Sequence, residues 1–332
     1  MTEPAIDEGP APRAGAGLGP AVETDPGMGT GADEQPRLVG QEAVDDLLRI
    51  LDLEQLELDI FRGVSPRVAP MWVFGGQVAG QALVAAGRTV AADRFVHSLH
   101  AYFVRPGNST KPIVYSVERI RDGASFSVRR VTAIQHGKPI FFMSASFHAT
   151  EEGLDHQEPM PQDVPPPEQL PTLAERLAPY PERLGVWARV PQSIDVRYVG
   201  EPGFVPRGDR PASPRQRVWM RVDGTLPDDR LVHACALTYA SDLTLLDAVL
   251  STHGEVWGPG GFGGVSLDHA LWFHRPVRAD EWFLYDCLSP SASGGRGLAT
   301  GRMFSADGRH VATVVQEGLL RPTSPSATDQ VG

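Results

Sequence analysis

The sequence feature that most limits the fold of this chain is an internal duplication. The segment AYFVRPG at 101–107 matches LWFHRPV at 271–277, and QHGKPIFF at 135–142 matches ADGRHVAT at 306–313, so the two separations agree to within one position. Two matches that keep nearly the same separation indicate two copies of one small domain, because this period is far too long for a solenoid. A chain of 332 residues is long enough for both copies to share a sizeable core.

Each copy combines an apolar helix with a set of strands. In the first copy, GQVAGQALVAAGRTV at 76–90 is apolar on nearly all sides, which predicts a buried helix. Four β-branched or aromatic runs bounded by turn residues follow it and predict strands. In the second copy, HACALTYASDLTLLDAVL at 233–250 predicts the helix, and similar strand-like runs lie on both sides of it. Because the strand connections are short, we expect an α+β fold in which an antiparallel sheet wraps around each helix.

Composition gives the expected boundaries. Glycine, proline, alanine and acidic residues dominate the first 39 residues, so that stretch cannot bury enough surface to order itself. Proline-rich sequence interrupts the middle of the chain and predicts a linker, with a short helix near Leu173–Leu177 consistent with its pattern. The predicted units are a disordered tail at 1–39, a first repeat at 40–158, a linker at 159–191, a second repeat at 192–322 and a second disordered tail at 323–332.

Composition also excludes several classes of protein. The formal net charge of −11 argues against nucleic acid as a partner, since phosphate binding needs clustered Lys and Arg. No apolar run approaches the roughly 18 residues of a membrane-spanning helix. Two cysteines, Cys235 and Cys287, are too few for a disulfide framework or a cysteine-based zinc site. With no signal-peptide pattern at its beginning, the chain is expected in the cytoplasm, and the histidine spacing predicts no metal site.

Several longer motifs resemble one known family. They occur in order between about residue 42 and Arg321, as FRG, VFGGQVAGQAL, HSLHAYFVRPG, RDGASFSVRRVTAIQHGKPIFFMSASF, YASDL, LDHALWFHRP and VQEGLLR. This set resembles the acyl-CoA thioesterase II family. The resemblance implies a double hot-dog fold, in which two helix-plus-antiparallel-sheet repeats lie in one chain with their sheets side by side. It also implies hydrolysis of fatty acyl-CoA to free fatty acid and CoA, no metal or organic cofactor, and assembly into a homodimer or larger homo-oligomer.

The same resemblance implies a catalytic set in which an Asp, a hydroxyl residue and a Gln orient the attacking water. These positions fall on Asp242 in YASDL, Gln316 in VQEG and Ser266 in VSLDH. Ser266 departs from the family, which usually has Thr there; Ser keeps the hydroxyl but lacks the methyl group that restricts χ1. From the residues alone, Asp242 between two apolar runs should have a raised pKa, which suits a general base.

Other interpretations of these three residues remain open at the level of sequence. Asp242 could cap a helix together with Ser241, since both residue types are preferred N-caps. Gln316 could lie on the solvent face of an edge strand. Ser266 follows Gly-Gly-Val and could be no more than a turn or strand-start residue.

Further residues are candidates for supporting roles. The backbone N–H of Gly76 or Gln77, at the start of a helix, could bind the thioester oxygen in an oxyanion site. Several arginines near the strand motifs suit the CoA phosphates, and the leading candidates are Arg105, Arg121 and Arg275, with Arg129, Arg130 and Arg296 as others. His97 and His100 are candidates for acid–base work. Asp268 and His269 could form a carboxylate–imidazole pair, although neighbouring strand residues face opposite sides. For all four, structural hydrogen bonds that support the site are the favoured role.

Two rival functions differ from hydrolysis. A hot-dog enoyl-thioester hydratase would need an Asp/His pair at a helix end, and Asp242 has no His close to it in the sequence. A non-catalytic acyl-CoA binding protein would retain the fold and bind the substrate without releasing thiol. A serine hydrolase is disfavoured because the chain has no G-x-S-x-G motif.

Overall fold

The computed structural model describes residues 37–180, 183, 188–205 and 212–324. The two tails predicted to be disordered lie outside the described residues, apart from 37–39 and 323–324. The predicted linker is also described only in part. The domain boundaries drawn from the sequence therefore stay a prediction.

The described elements are five α-helices, one short 3₁₀-helix and thirteen strands. The helices are α1 Gly40–Leu51, α2 Gly75–Gly87, α3 Leu173–Leu177, α4 Arg230–Ser241 and α5 Asp247–His253, with the 3₁₀-helix at Pro167–Gln169. The strands are β1 Glu54–Glu57, β2 Ile60–Gly63, β3 Arg94–Phe103, β4 Ile113–Asp122, β5 Phe126–Gln135, β6 Lys138–Ala149, β7 Ile194–Tyr198, β8 Arg215–Val222, β9 Phe262–Ser266, β10 Asp268–Phe273, β11 Phe283–Ser293, β12 Arg296–Ser305 and β13 His310–Pro322.

All the strands belong to one antiparallel sheet made of two halves. Its order is β1-β2-β4-β5-β6-β3-β10-β13-β12-β11-β8-β7, with β9 also paired to β13. At the centre, where β3 pairs with β10, His100 lies directly opposite Ala270. The separation of these two residues in the chain equals that of AYFVRPG and LWFHRPV in the sequence repeat, so the axis relating the two halves passes between them. The predicted duplication and α+β class are confirmed.

The two long apolar helices pack against each other on one face of this sheet. The residues of α2 are buried from Gly76 to Ala86, and those of α4 from His233 to Ser241. They run antiparallel, because Gly76 approaches the carbonyl oxygen of Tyr239 while Gly87 approaches Leu231. The N-terminal end of α2 therefore meets the C-terminal end of α4. Each helix is apolar all round because the sheet covers one side and the other helix covers the opposite side.

Two local expectations have different outcomes. The helix predicted over 233–250 is wrong as a single element, because α4 ends at Ser241 and α5 begins at Asp247. The short helix in the linker is confirmed as α3, where Thr172 and Glu175 form a capping box. Among the described residues, no helix is both long and apolar enough to span a bilayer.

Candidate active site

Three residues that are distant in the sequence share one hydrogen-bonded cluster. Gln316 donates from Nε2 to Asp242 Oδ1 at 2.7 Å and to Ser266 Oγ at 2.6 Å. Ser266 in turn donates to Asp242 Oδ1 at 3.1 Å. The structure thus brings together the Asp, hydroxyl and Gln that the sequence singled out.

Asp242 reaches this cluster because the helix stops there. It is the C-cap residue of α4, with φ −90° and ψ −2°, and the segment Asp242–Leu246 separates α4 from α5. The N-cap of α5 is Leu246, so the interpretation of Asp242 as a helix N-cap is wrong. The break directs the carboxylate towards the start of α2 instead of along a continuous helix.

Ser266 faces the cluster because the strand pairing shifts by one residue. Ala270 lies opposite Val315 on β13, whereas Ser266 lies opposite Gly318, so four steps along one strand match three along the other. Such a bulge switches the face to which the following side chains point. Ser266 therefore shares the face of its partner Gly318, which is also the face of Gln316, two positions away.

Gln316 lies in the interior of the sheet. Strand β13 runs between β10 and β12, and Gln316 is completely buried. The interpretation as a solvent-facing residue of an edge strand is wrong. A buried amide must have its hydrogen bonds satisfied, and Gln316 uses both its oxygen and its nitrogen.

The start of α2 completes the cluster from the other half of the molecule. The backbone N–H of Gly76 donates to the carboxylate of Asp242. A Cβ at Gly75 would lie 2.6 Å from Asp242 Oδ2, so the glycine permits this close approach. The side chain of Gln77 points away, to Ser65 Oγ at 3.0 Å. As the third residue of the helix, Gln77 has a backbone N–H without an intrahelical acceptor.

Electrostatics at Asp242 combine one dominant effect with several opposing ones. Burial raises the pKa of the Asp242 carboxyl above its ordinary value, in spite of opposing contributions from His269 and from the hydrogen bonds of Gln316, Ser266 and Gly76. The result is a carboxylate that is held by several donors yet is more basic than an exposed Asp. Such a group suits proton abstraction near neutral pH.

His269 is a buried neighbour of the cluster. Its Nδ1 lies 3.1 Å from Gln316 Oε1, and its Nε2 lies 2.7 Å from Ser241 Oγ. The side chain of Asp268 takes a different partner and accepts from the backbone N–H of Glu317 at 2.6 Å. The two residues therefore do not form a carboxylate–imidazole pair, as expected for neighbours on a strand.

The other two predicted supporting histidines lie away from the cluster. His97 Nε2 is 2.8 Å from Ser146 Oγ, and the ring of His97 packs edge-on against Phe126. His100 is exposed and its ring contacts Trp272. Neither histidine is joined to Asp242 through the described contacts, and of the predicted histidines it is His269 that contacts the cluster, through Gln316.

The three leading arginines do not form one group. Arg105 and Arg275 hold equivalent hairpins, donating to the backbone oxygens of Pro139 at 2.7 Å and His310 at 2.9 Å. The backbone oxygen of Arg121 accepts from Arg129, which also binds Thr89 just beyond the C-terminal end of α2. Arg121 thus lies about 20 Å, the length of α2, from the start of that helix.

The remaining arginines have partners within the protein. Arg129 is buried and binds Thr89 and Asp122. Arg130 pairs with Glu118, and Arg296 pairs with Glu317. Arg105 follows Phe103 by two positions in the chain. The ring of Phe103 borders Gly75, which in turn borders Asp242, so Arg105 is close in sequence to a residue next to the cluster.

Comparison with known proteins identifies the family of the chain. The family model described as "Acyl-CoA thioesterase" matches residues 194–319, and the family model described as "Acyl-CoA thioesterase N-terminal domain" matches residues 64–148. The chain is 43% identical to acyl-coenzyme A thioesterase 8 of Homo sapiens over 82% of its own length and 88% of the relative. It is 39% identical to acyl-CoA thioesterase 2 of Haemophilus influenzae, covering 84% of this chain and 98% of that protein.

Solved structures agree with this result. The acyl-CoA thioesterase II TesB2 of Mycobacterium marinum is 45% identical with a TM-score of 0.66, covering 83% of this chain and 98% of that structure. A protein of Alicyclobacillus acidocaldarius described as having a hot dog fold is 23% identical with a TM-score of 0.67, covering 82% and 97%. The expected double hot-dog fold is confirmed, and the chain belongs to the acyl-CoA thioesterase family.

Proposed function

We propose that this protein hydrolyses acyl-CoA thioesters with a water molecule activated by Asp242. The observation that carries the proposal is the meeting of Asp242, Ser266 and Gln316 at the N-terminal end of α2. A basic carboxylate, a hydroxyl and an amide at one point can hold and deprotonate water. A helix N-terminus beside them can stabilise negative charge on the reacting carbonyl oxygen.

The reaction would proceed by addition and elimination. Asp242 takes a proton from water as the water oxygen bonds to the thioester carbon, and the carbonyl π electrons move to the carbonyl oxygen. When that oxyanion collapses, the carbon–sulfur bond breaks and the sulfur leaves with the bonding electron pair. The proton held by Asp242 passes to the leaving sulfur, which yields a free fatty acid and CoA and restores the base.

The neighbouring groups have separate tasks in this scheme. The described contacts to Asp242 are donors from Gln316, Ser266 and Gly76, and a carboxylate with about four acceptor positions retains room for a water proton. Because Gly76 already donates to Asp242, we assign Gly76 to holding the base. The backbone N–H of Gln77 is then the oxyanion donor in this scheme.

Three expectations from the sequence remain proposals. Arg105 is the candidate for the CoA phosphates, supported by its exposure and its place two positions after Phe103. A homodimer or larger homo-oligomer is supported by the family resemblance. A cytoplasmic location is supported by the use of two cysteines, both free and buried.

The test is thiol release from a series of saturated acyl-CoAs of increasing chain length, followed with a thiol reagent. Wild-type protein should release CoA, and Asp242→Asn should lower kcat by about 100-fold or more because the general base is lost. Glu317→Gln removes one carboxylate charge next to Gln316 on the opposite face of β13 and should leave kcat within about threefold of wild type.

The rivals give different results with the same protein. A hydratase would decrease the absorbance of a 2-enoyl-CoA without releasing thiol. An acyl-CoA binding protein would bind the substrate and release no thiol at any protein concentration. Either result, or an unchanged kcat in Asp242→Asn, overturns the proposal.

A further inference from the structure

The imidazole of His269 joins the end of α4 to the amide of Gln316. The side chain is almost completely buried, with 1% of its surface exposed. Nε2 lies 2.7 Å from the hydroxyl of Ser241, the residue before Asp242, and that hydroxyl also lies 2.8 Å from the backbone oxygen of Thr238 within α4. Nδ1 lies 3.1 Å from Gln316 Oε1. The imidazole ring therefore contacts Ser241 at the end of α4 through Nε2 and Gln316 on β13 through Nδ1.

The hydrogen-bond pattern fixes the direction of the Gln316 amide. Its Nε2 donates to Asp242 and Ser266, so its Oε1 must face His269. An amide oxygen can only accept, and His269 must then carry its proton on Nδ1. Burial lowers the pKa of His269, which favours the neutral ring with Nε2 as an acceptor. The Ser241 hydroxyl has one proton, which it shares between Nε2 and the backbone oxygen of Thr238. Rotating the amide by half a turn would place its oxygen against the carboxylate and remove both donors.

We propose that His269 is a positioning residue that locks the Gln316 amide with its nitrogen towards Asp242 and Ser266. This rests on the proposed function, in which those two residues hold the attacking water. His269 has no described hydrogen bond to Asp242, and its hydrogen-bonded connection to the water site runs through Gln316. Without the Nδ1 donor, the two amide orientations become closer in energy, and the orientation with the oxygen towards Asp242 weakens the water site.

The first half of the molecule shows that the fold itself does not need this histidine. The repeat that aligns AYFVRPG with LWFHRPV places Leu99 at the position equivalent to His269, and Leu99 is completely buried on β3. Opposite Leu99 lies Ala145, which the alignment of the hairpins QHGKPIFF and ADGRHVAT matches to Gln316. The His–Gln pair therefore occurs in the half that carries Asp242, and an apolar pair occupies the same place in the other half.

Three substitutions at His269 separate positioning from packing. In His269→Asn, the amide nitrogen can take the place of Nδ1 and donate to Gln316. In His269→Gln, the longer side chain places its amide near Nε2, so the contact with Ser241 remains and the donor to Gln316 is lost. His269→Leu copies the residue found in the first half and lacks both contacts.

The expected result is a split between kcat and KM. His269→Gln and His269→Leu should lower kcat by about 10- to 100-fold, as loss of a supporting hydrogen bond commonly does, with KM within about threefold. His269→Asn should retain kcat to within about fivefold. Thermal unfolding of all three variants checks that they are folded. Equal kcat losses in the Asn and Gln variants, or losses accompanied by unfolding in all three, overturn the proposal.

The pH dependence of kcat/KM in the His269 variants is a second test of the positioning role. The neighbouring imidazole of His269 and the hydrogen bond from Gln316 both lower the pKa of Asp242. The acid limb of kcat/KM should therefore move to higher pH in all three variants, and it should move further in the Gln and Leu variants, which lose both contributions, than in the Asn variant, which keeps the hydrogen bond.

Among the described residues, the other titratable groups near this cluster are Asp268, next to His269 in the strand, and the buried hydroxyls of Tyr239 and Tyr285. Burial raises the pKa of both tyrosines. The tyrosines do not titrate in the acid range.

A double-mutant comparison separates this proposal from the proposed function. If His269 acts through Gln316, His269→Gln should have little further effect on kcat in a Gln316→Leu background. Additive losses overturn the positioning role while leaving thioester hydrolysis intact. Absence of thiol release by wild-type protein instead overturns the proposed function.

Discussion

The carboxylate of Asp242 accepts a hydrogen bond from the backbone N–H of Gly76, and this contact joins the two halves of the molecule. Asp242 ends α4 in the second half, and Gly76 is in the first turn of α2 in the first half. The positive end of the α2 dipole favours the negative charge of the carboxylate. Neither half contains both groups, so the duplication is a requirement of the site as well as of the core.

Gly76 should not tolerate a side chain. A Cβ there would lie 2.4 Å from the backbone oxygen of Tyr239, a rigid helical neighbour. We expect Gly76→Ala to lower the free energy of unfolding by about 3 kcal/mol or more, because α2 and α4 must move apart. Gly80→Ala is the matched control in the same helix, since its Cβ would lie 3.3 Å from the backbone oxygen of Cys235.

Urea unfolding measures both variants. For Gly80→Ala, the better helix propensity of alanine, worth up to about 1 kcal/mol, should offset most of the tighter contact. Equal stability of Gly76→Ala and Gly80→Ala would show that the close approach of the helices at Gly76 is unimportant.

Ser266 should contribute through its hydroxyl and not through its size. Ser266→Ala removes the donor to Asp242 and one acceptor of Gln316, so kcat should fall by about 10-fold or more. Ser266→Thr restores the residue usual in the family, and its restricted χ1 should hold the hydroxyl in place, with kcat equal to or above wild type. Steady-state thiol release measures both, and similar activity in Ala and Thr variants would refute the role of the hydroxyl.

Much of the fold could be predicted from the sequence, because the repeat and the apolar pattern of the helices each extend over many residues. The separation of the repeated segments in the sequence equals the separation of His100 and Ala270, which pair across the sheet centre. The apolar composition of α2 predicted a helix covered on two sides. Such patterns extend over many residues, and a local irregularity does not hide them.

The geometry of the site could not be predicted in the same way, because it depends on irregularities. The helix break at Asp242 lies within an apolar run that has neither Gly nor Pro, so no local signal marks it. The bulge between β9 and β10 changes which side chains face inward, and period-two alternation cannot reveal one extra residue. The link from His269 to Gln316 joins residues 47 positions apart and follows from that pairing.

The contacts of the arginines in the strand motifs could not be predicted from the sequence either. Arg105 and Arg275 occupy matching positions of the repeat, and both bind the backbone of a neighbouring hairpin. The sequence alone does not show that a charged residue in a strand motif binds the backbone of a neighbouring hairpin. That contact depends on how the strands pair.

Asp286 should stabilise the second half through three guanidinium groups. Its side chain is completely buried, with Arg215 and Arg302 at 2.6 Å and Arg217 at 3.1 Å. We expect Asp286→Asn to lower the free energy of unfolding by about 3 kcal/mol, because it leaves clustered positive charge without its partner. Asp163→Asn removes an exposed partner of Arg217 and should cost less than about 1 kcal/mol.

The difference between wild type and Asp286→Asn should depend on pH. Burial alone would raise the pKa of Asp286, but hydrogen bonds from the three arginines lower it below its usual range. A lowered pKa in the folded state stabilises the protein above the unfolded pKa of about 3.9, and this stabilisation is lost as pH falls through the folded value. Urea unfolding at several pH values should show the difference shrinking below about pH 4, and a constant difference would contradict the ion-pair explanation.

The raised pKa of Asp242 predicts the opposite sign for stability. Burial raises this pKa, so the folded protein holds the proton more tightly than the unfolded chain does. The free energy of unfolding of wild type relative to Asp242→Asn should therefore fall as pH rises from about 3.9 through the raised value, and then stay level. Unfolding curves of the two proteins over that range measure the effect, and a relative stability that rises with pH would refute the raised pKa.

Activity should follow the same ionisation. As pH falls through the raised pKa, Asp242 becomes protonated and can no longer accept a proton from water, so kcat/KM should fall about tenfold per pH unit. The midpoint of this acid limb should lie above the ordinary Asp value of about 3.9, because burial favours the neutral acid. Glu317→Gln, on the opposite face of β13, should leave the midpoint in place. An acid limb at or below the ordinary Asp value would mean that a different group is the base.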